Sequence, residues 1–297
     1  MKERVLITGS SGFLGSRLRE RLEQGEYQIK RLKHPELENP EKIVIAFNPD
    51  IIFHLAAYGN YYFQTGVREI YRANIMKLLY LLEASDEIPY RAFINAGTSS
   101  EYGEKDRPMK EEDLLEPDTF YAASKAGGTL LARAWAIQKS KPIITIRPFS
   151  ITGRGEQGHH LIPTLIRSCL YEEWMSFVPN PVHDFIDVDD VIDGMLLLVE
   201  NARHFPGKVF NIGSGKQYTN EEVRQIVERI TGKKAKTEAI EKMRSYDTRK
   251  WVADTCDLKI WGKPTLRSLG WKPKKTLEQS IREMVEDYEQ RITKKDT

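Results

Sequence analysis

Residues 5–15 read Val5-Leu6-Ile7-Thr8-Gly9-Ser10-Ser11-Gly12-Phe13-Leu14-Gly15. The first four fit a strand, and the run then breaks into three glycines. Beyond them Phe13, Leu14, Leu18 and Leu22 recur at the spacing of one helical face, with Gly25 placed to end the helix. In such a strand–turn–helix the first glycine lets the chain turn sharply. The second lets backbone approach a pyrophosphate, and the third lets helix pack on strand. Phosphates then meet the free N–H groups and positive end of the helix. Gly9, Ser11, Gly12, Phe13, Leu14 and Gly15 are therefore expected to form a dinucleotide cradle.

Outward from this unit, short apolar runs alternate with helical patterns. Strands are expected at 27–32, 51–57, 91–95 and 142–147, and helices at 43–47, 70–83 and 121–139. The residues at 51–57, Ile-Ile-Phe-His-Leu-Ala-Ala, are nearly all apolar, as in a strand covered on both faces. This alternation implies an α/β fold, a Rossmann-type doubly wound parallel sheet. After Ser150 the texture changes. A loop rich in Gly, Arg and His spans 153–160, helices are expected near 163–171, 188–200, 220–231 and 277–291, and a strand at 209–212 enters Gly213-Ser214-Gly215. The reading is a mainly dinucleotide-binding part over 1–150 and a smaller, mainly substrate-binding α/β portion over 151–297, with some segments returning to the sheet.

The 297 residues carry 45 basic and 43 acidic side chains, a net charge of +2 that gives no field to draw nucleic acid or a membrane. Neither Cys169 nor Cys256 has a metal-ligand spacing, so buried thiols are expected and no metal site. No apolar run approaches the length of a membrane span. With the first strand opening at Val5 there is no sign of a leader, so a soluble cytoplasmic protein is expected.

The pair Tyr121/Lys125, four apart, shares a helix face. Free tyrosine, with a pKa near ~10, is a poor base at neutral pH. A neighbouring ammonium favours the phenolate, so Tyr121 is a candidate to exchange a proton with an oxygen whose carbon exchanges hydride with a nicotinamide. Tyr246-x-x-x-Lys250 repeats the spacing, but only Tyr121 opens a helix after a strand that ends in polar residues.

The spacing G-x-x-G-x-x-G resembles the glycine motif of short-chain dehydrogenases/reductases, in their extended, nucleotide-sugar branch. Further matches in family order are His54-Leu55-Ala56-Ala57, Tyr121-x-x-x-Lys125, Arg147-Pro148, Asp184-Phe185-Ile186-Asp187-Val188-Asp189-Asp190, Asn211-Ile212-Gly213-Ser214-Gly215 and Leu269-Gly270-Trp271-x-Pro273. The resemblance covers almost the whole chain. It implies that Leu55, Ala56, Ala57, Pro148 and Ser150 also line the cofactor, that Lys125 holds its ribose, and that Thr98, four residues before the Tyr of Tyr102-Gly103, supplies the catalytic hydroxyl. In an NAD site the second strand ends in an acid; here it ends Arg31-Leu32-Lys33-His34. Lys33 can meet a 2′-phosphate, so NADP(H) is favoured, with NAD(H) the alternative.

On the substrate side the resemblance points to Tyr58, Ser99, Ser100, His160, His183 and Arg244. Related 4,6-dehydratases place Asp-Glu after the catalytic Thr; Ser99 and Ser100 stand there. GDP-fucose synthases use a Cys and a His, here Ser100 and His160. The diphosphate-binding arginines correspond to His183 and Arg244, with Arg154 a substitute for the missing one, since a guanidinium suits phosphate. Asp187 and Asp189 are read alternatively as helix caps. The lead expectation is a reductase of a 4-keto nucleotide sugar; a UDP-glucose 4-epimerase type enzyme uses the same three catalytic groups, and a non-catalytic dinucleotide-binding regulator is the rival of another class. A homodimer packed through helices 70–83 and 121–139 is expected, as in relatives.

Overall fold

The computed structural model describes residues 2–61, 63–240, 250–255 and 264–293. Strand β1 (Glu3–Thr8) leads into helix α1 (Phe13–Glu23). Then come β2 (Tyr27–Leu32), α2 (Glu41–Phe47), β3 (Ile51–His54), α3 (Val67–Tyr71) and α4 (Lys77–Asp86). The chain continues through β4 (Ala92–Ala96), α5 (Phe120–Gln138), β5 (Ile143–Pro148), β6 (Ser150–Thr152), α6 (Leu161–Tyr171) and β7 (Met175–Phe177). It ends with β8 (Val182–Asp187), α7 (Val188–Asn201), β9 (Val209–Ile212), β10 (Gln217–Thr219), α8 (Asn220–Thr231), β11 (Thr237–Ala239) and α9 (Leu277–Thr293).

The main sheet is parallel, in the order β2-β1-β3-β4-β5-β9. Alternation along its strands sends side chains to two faces. Val5, Ile7, Phe53, Ile94 and Ile146 pack against Leu18 and Leu22 of α1 and Val191, Met195 and Leu198 of α7. Leu6, Ile52 and Phe93 pack against Val44, Leu78, Leu82, Ala132 and Ala136 from α2, α4 and α5. Both faces are thereby covered, as the apolar strands require. The order reverses between β1 and β3, which opens a crevice at the carboxyl ends of the strands.

The later residues supply a second apolar cluster, with Leu165 and Ile166 of α6, Val223 and Val227 of α8 and Ile281 and Met284 of α9. β10, β8 and β6 form a small sheet beside it, while β9 returns to the main sheet. Asp187 takes the capping role: it precedes α7 and accepts from Asp189 N at 2.9 Å. Asp189 instead reaches Arg17 and Lys275, each at 3.1 Å.

Two elements depart from the sequence reading. The strand expected to run to residue 57 stops at His54. Thr8 Oγ1 lies 2.9 Å from His54 Nδ1 and accepts from Ala56 N at 3.2 Å, which bends the chain into the crevice. The helix expected at 70–83 runs from Val67 to Asp86 and is interrupted by a π-helical turn, Arg72–Met76. That turn carries Asn74, which is buried. Among the described residues no helix is long and apolar enough to cross a membrane.

Candidate active site

The glycine cradle follows from contact distances. Gly9 has φ +69°, and a Cβ there would stand 2.6 Å from Ala56 N. A Cβ on Gly15 would collide with the Gly9 carbonyl, so this glycine sets how closely α1 approaches β1. Gly12 caps α1 with no side-chain hydrogen bond, and the first turn has no acid. The leading N–H groups and positive end of α1 are thus open to an anion. The donor set and the close-packed turn fit a pyrophosphate.

The cradle is one end of a cleft of about 1630 Å³. Of the residues expected at the cofactor, Gly9, Ser11, Gly12, Phe13, Leu14, Gly15, Lys33, Leu55, Ala56, Ala57, Tyr121, Pro148 and Ser150 all line it, as do Arg31 and His34. Lys33 is exposed at the rim, where its N–H donates to Glu36 Oε2 at 2.6 Å.

Thr98, Ser99 and Ser100 line the middle of the cleft beside Tyr121. Thr98 caps the short 3₁₀ helix Ser99–Tyr102, and its Oγ1 accepts from Ser100 N at 3.2 Å. Its Oγ1 donates to Ser100 Oγ at 3.3 Å, and the hydroxyl lies near enough to the Tyr121 phenol to act on its acidity. Thr119 caps α5, accepting from Ala122 N at 3.1 Å, and so fixes Tyr121 in the first turn. Lys125, one turn on, is 5% exposed and lies behind the cleft wall.

Burial is the largest influence on both members of this pair. It pushes the Tyr121 phenol well above its ordinary value; the charge of Glu101 adds to the rise and the nearby Thr98 hydroxyl opposes it. The phenolate expected from the neighbouring ammonium is therefore not the form these side chains favour. Burial lowers Lys125 to about 8, against the pull of Glu101. Burial also holds His54 at about 3, and the charge of Lys125 lowers it further, so His54 is neutral.

The cleft is also lined by Met175, Phe177, Phe185, Asn220 and Trp251, with His160 and His183. His160 Nδ1 lies 3.1 Å from Glu156 Oε1, and His183 Nδ1 lies 3.4 Å from Ser150 Oγ. Three expectations need correction or fall away. Tyr58 is not on the cleft wall: Asn74 grips its backbone, accepting from Tyr58 N at 2.9 Å and donating to Tyr58 O at 2.7 Å, and Tyr61 lines the cleft instead. Arg154 is exposed beside a separate small hollow with Asp287, Tyr288 and Arg291, so it is not a phosphate ligand of the cleft. Arg244, Tyr246 and Cys256 lie outside the described residues.

Sequence reasoning missed Asn74, Tyr61, Glu101 and Trp251. Asn74 Nδ2 donates to Ser124 Oγ at 2.8 Å, and Ser124 Oγ donates to the Tyr121 carbonyl at 2.7 Å, so the π turn braces the start of α5. Tyr61 packs edge-on to His159 at 4.7 Å between ring centroids. The local signals were the capping-box spacing Thr98-x-x-Glu101 and the position of Trp251 just ahead of the Ala253-Asp254 pair.

GDP-6-deoxy-D-mannose reductase of Pseudomonas aeruginosa is 26% identical over 316 residues, spanning 98% of this chain and 99% of that protein. The structure of MoeE5 in complex with UDP-glucose and NAD superposes with a TM-score of 0.87 at 26% identity, covering 97% of this chain and 99% of that one. The structure of RMD from Pseudomonas aeruginosa complexed with NADPH gives a TM-score of 0.80 at 25% identity, covering 98% and 100%. With a family model matching residues 5–213, the chain belongs to the NAD dependent epimerase/dehydratase family.

Proposed function

We propose that this enzyme reduces a 4-keto nucleotide sugar with NADPH, Tyr121 giving the proton. The observation that carries the reading is that Thr98 and Tyr121 stand together on the wall of the cleft that also holds the glycine cradle. A nicotinamide dinucleotide, when bound, supplies the hydride. Tyr121, kept protonated by burial, donates its proton to the C4 oxygen as that carbon gains hydride, and ketone becomes alcohol. Thr98 orients the same oxygen through its hydroxyl. Lys125, just behind the wall, would stabilise the phenolate that remains and hold the ribose of a bound cofactor. Arg31 and Lys33 on the rim support NADPH over NADH.

The two positions after Thr98, which carry the acid and base in related 4,6-dehydratases, are Ser99 and Ser100 here. Ser99 Oγ accepts from Trp251 Nε1 at 3.1 Å, and Ser100 Oγ accepts from Thr98 Oγ1 at 3.3 Å. A second reading, a 4-epimerase with retained NAD, draws on the likeness to MoeE5 with UDP-glucose and NAD and uses the same Thr98, Tyr121 and Lys125.

The test is a panel of 4-keto-6-deoxy nucleotide sugars with NADPH, run beside UDP-glucose with no reductant. NADPH consumption that Tyr121→Phe abolishes, with NADPH binding intact, supports the reductase. Turnover that survives Tyr121→Phe refutes the role of Tyr121. Interconversion of UDP-glucose and its C4 epimer supports the second reading.

We further propose a homodimer through the helices at α3–α4 and α5. Exposed Val67, Tyr71 and Met76 on one side and Phe120, Leu130 and Ile137 on the other support it. A monomer by light scattering at micromolar concentration would refute it.

A further inference from the structure

Beneath the Thr98 turn lies a carboxylate that never reaches the cleft. Glu101 is 0% exposed and Arg147 3% exposed, and neither lines the cleft. Glu101 Oε1 accepts from Thr98 N and from Thr129 Oγ1, each at 2.9 Å. Its Oε2 accepts from Arg147 Nε at 2.8 Å. Arg147 stacks on the Tyr102 ring at 4.5 Å, and Tyr102 Oη donates to Asn211 Oδ1 at 2.7 Å. Space for the carboxylate is reserved by Gly97, where a Cβ would collide with Glu101 Oε1.

We propose that Glu101, clamped by Arg147, is the positioning residue that sets Thr98 against Tyr121 and keeps a negative charge facing Lys125. This rests on the roles of Thr98 and Tyr121 proposed above. A buried ion pair is a poor device for stability alone, because desolvation offsets its attraction. Here one oxygen of the pair holds the backbone of the residue that meets the reacting oxygen. The same charge favours the protonated form of Lys125, against burial. Among the described residues His54, held as a neutral imidazole, is coupled to Lys125; Tyr121, one helical turn before it, is held as a neutral phenol, and the Arg147 cation is engaged by Glu101. Glu101 thus supplies the charge that opposes the loss of the Lys125 proton. With both oxygens engaged and no access to the cleft, Glu101 is not itself a proton-transfer group.

The experiment compares wild type, Glu101→Gln, Glu101→Asp and Thr98→Ala. NADPH affinity is measured by fluorescence from pH 6 to 10, and kcat and KM with the 4-keto nucleotide sugar that wild type reduces. Glu101→Gln keeps an acceptor but removes the charge. Its kcat falls by at least about tenfold with KM within about twofold. The alkaline midpoint at which NADPH affinity declines moves about one unit lower, because Lys125 loses its proton earlier. Glu101→Asp keeps the charge but withdraws it from Thr98 N, so kcat falls while the midpoint stays. Folded Glu101→Gln with wild-type kcat per NADPH site and a wild-type midpoint overturns the proposal, whatever its melting temperature. Should Glu101→Gln not fold, Glu101→Asp decides: lost kcat at unchanged KM supports positioning, and wild-type kcat overturns it. If Thr98→Ala keeps wild-type kcat, it is the catalytic reading of Thr98 that has failed.

Discussion

Trp251 Nε1 donates to Ser99 Oγ at 3.1 Å, tying the second half of the chain to the turn that carries Thr98. The indole also packs against the cluster of Tyr102, Met109, Phe149 and Ala253. It lines the cleft as a flat wall. Trp251→Phe keeps a ring and loses the donor. KM for the nucleotide sugar is expected to rise about fivefold, NADPH affinity to stay unchanged, and stability to fall by about 1 kcal/mol. Steady-state kinetics beside a fluorescence titration checks this; an unchanged KM places the indole away from substrate.

Lys33 stands at the end of β2 where a dinucleotide's adenosine ribose is expected. Lys33→Asp replaces a cation that suits a 2′-phosphate with an acid that suits a free 2′-hydroxyl. NADPH affinity should fall about tenfold or more, about 1.4 kcal/mol, and NADH affinity should rise. Titration with both cofactors decides it, and an unmoved NADPH constant would show that Lys33 does not meet the phosphate.

The fold and the nucleotide cradle were legible because their information is local. Three glycines, an apolar strand and a helical stripe sit within one stretch of residues 5–22. Tyr121 and Lys125 were legible for the same reason, one helical turn apart. Asn74 and Trp251 were not, because each acts through partners distant in sequence, 152 positions apart for Trp251 and Ser99; Glu101 is tied to Thr98 only three residues away, but Thr129 and Arg147, which complete its site, are 28 and 46 positions off. Tyr58 was misplaced because β3 ends early, and the bend after it turns Tyr61 rather than Tyr58 to the cleft. Arg154 had the right chemistry, but its loop faces α9.

Gly12 and Gly15 should separate binding from folding. A Cβ on Gly12 would have Gly9 O as its nearest neighbour at 3.3 Å, whereas one on Gly15 meets backbone it cannot displace. Gly15→Ala is expected to cost about 2 kcal/mol or more and to lose cofactor binding with it. Gly12→Ala should stay within about 1 kcal/mol of wild type and still weaken NADPH. Chemical denaturation and NADPH titration of both variants distinguish the cases; equal destabilisation would refute it.

His54 makes the enzyme sensitive to acid. Its folded value of about 3 lies below the ordinary histidine value, so the folded state keeps it neutral. Below pH ~6.5 the unfolded chain binds a proton that the folded chain refuses, and stability falls as pH falls towards the folded value. His54→Asn keeps a polar partner for Thr8 without titrating. Between pH 7.5 and 5.0 wild type should lose about 2 kcal/mol more than the variant. Urea unfolding at the two pH values measures this, and equal losses would mean that His54 is not buried neutral.

The central claim, an NADPH-dependent reductase that exchanges its cofactor at each turnover, is tested most directly by denaturing freshly purified protein and identifying the dinucleotide it releases. Little or none is expected, and an emptied protein that binds NADPH more tightly than NADH. Near-stoichiometric NAD⁺ would contradict it and point to an epimerase that keeps its cofactor.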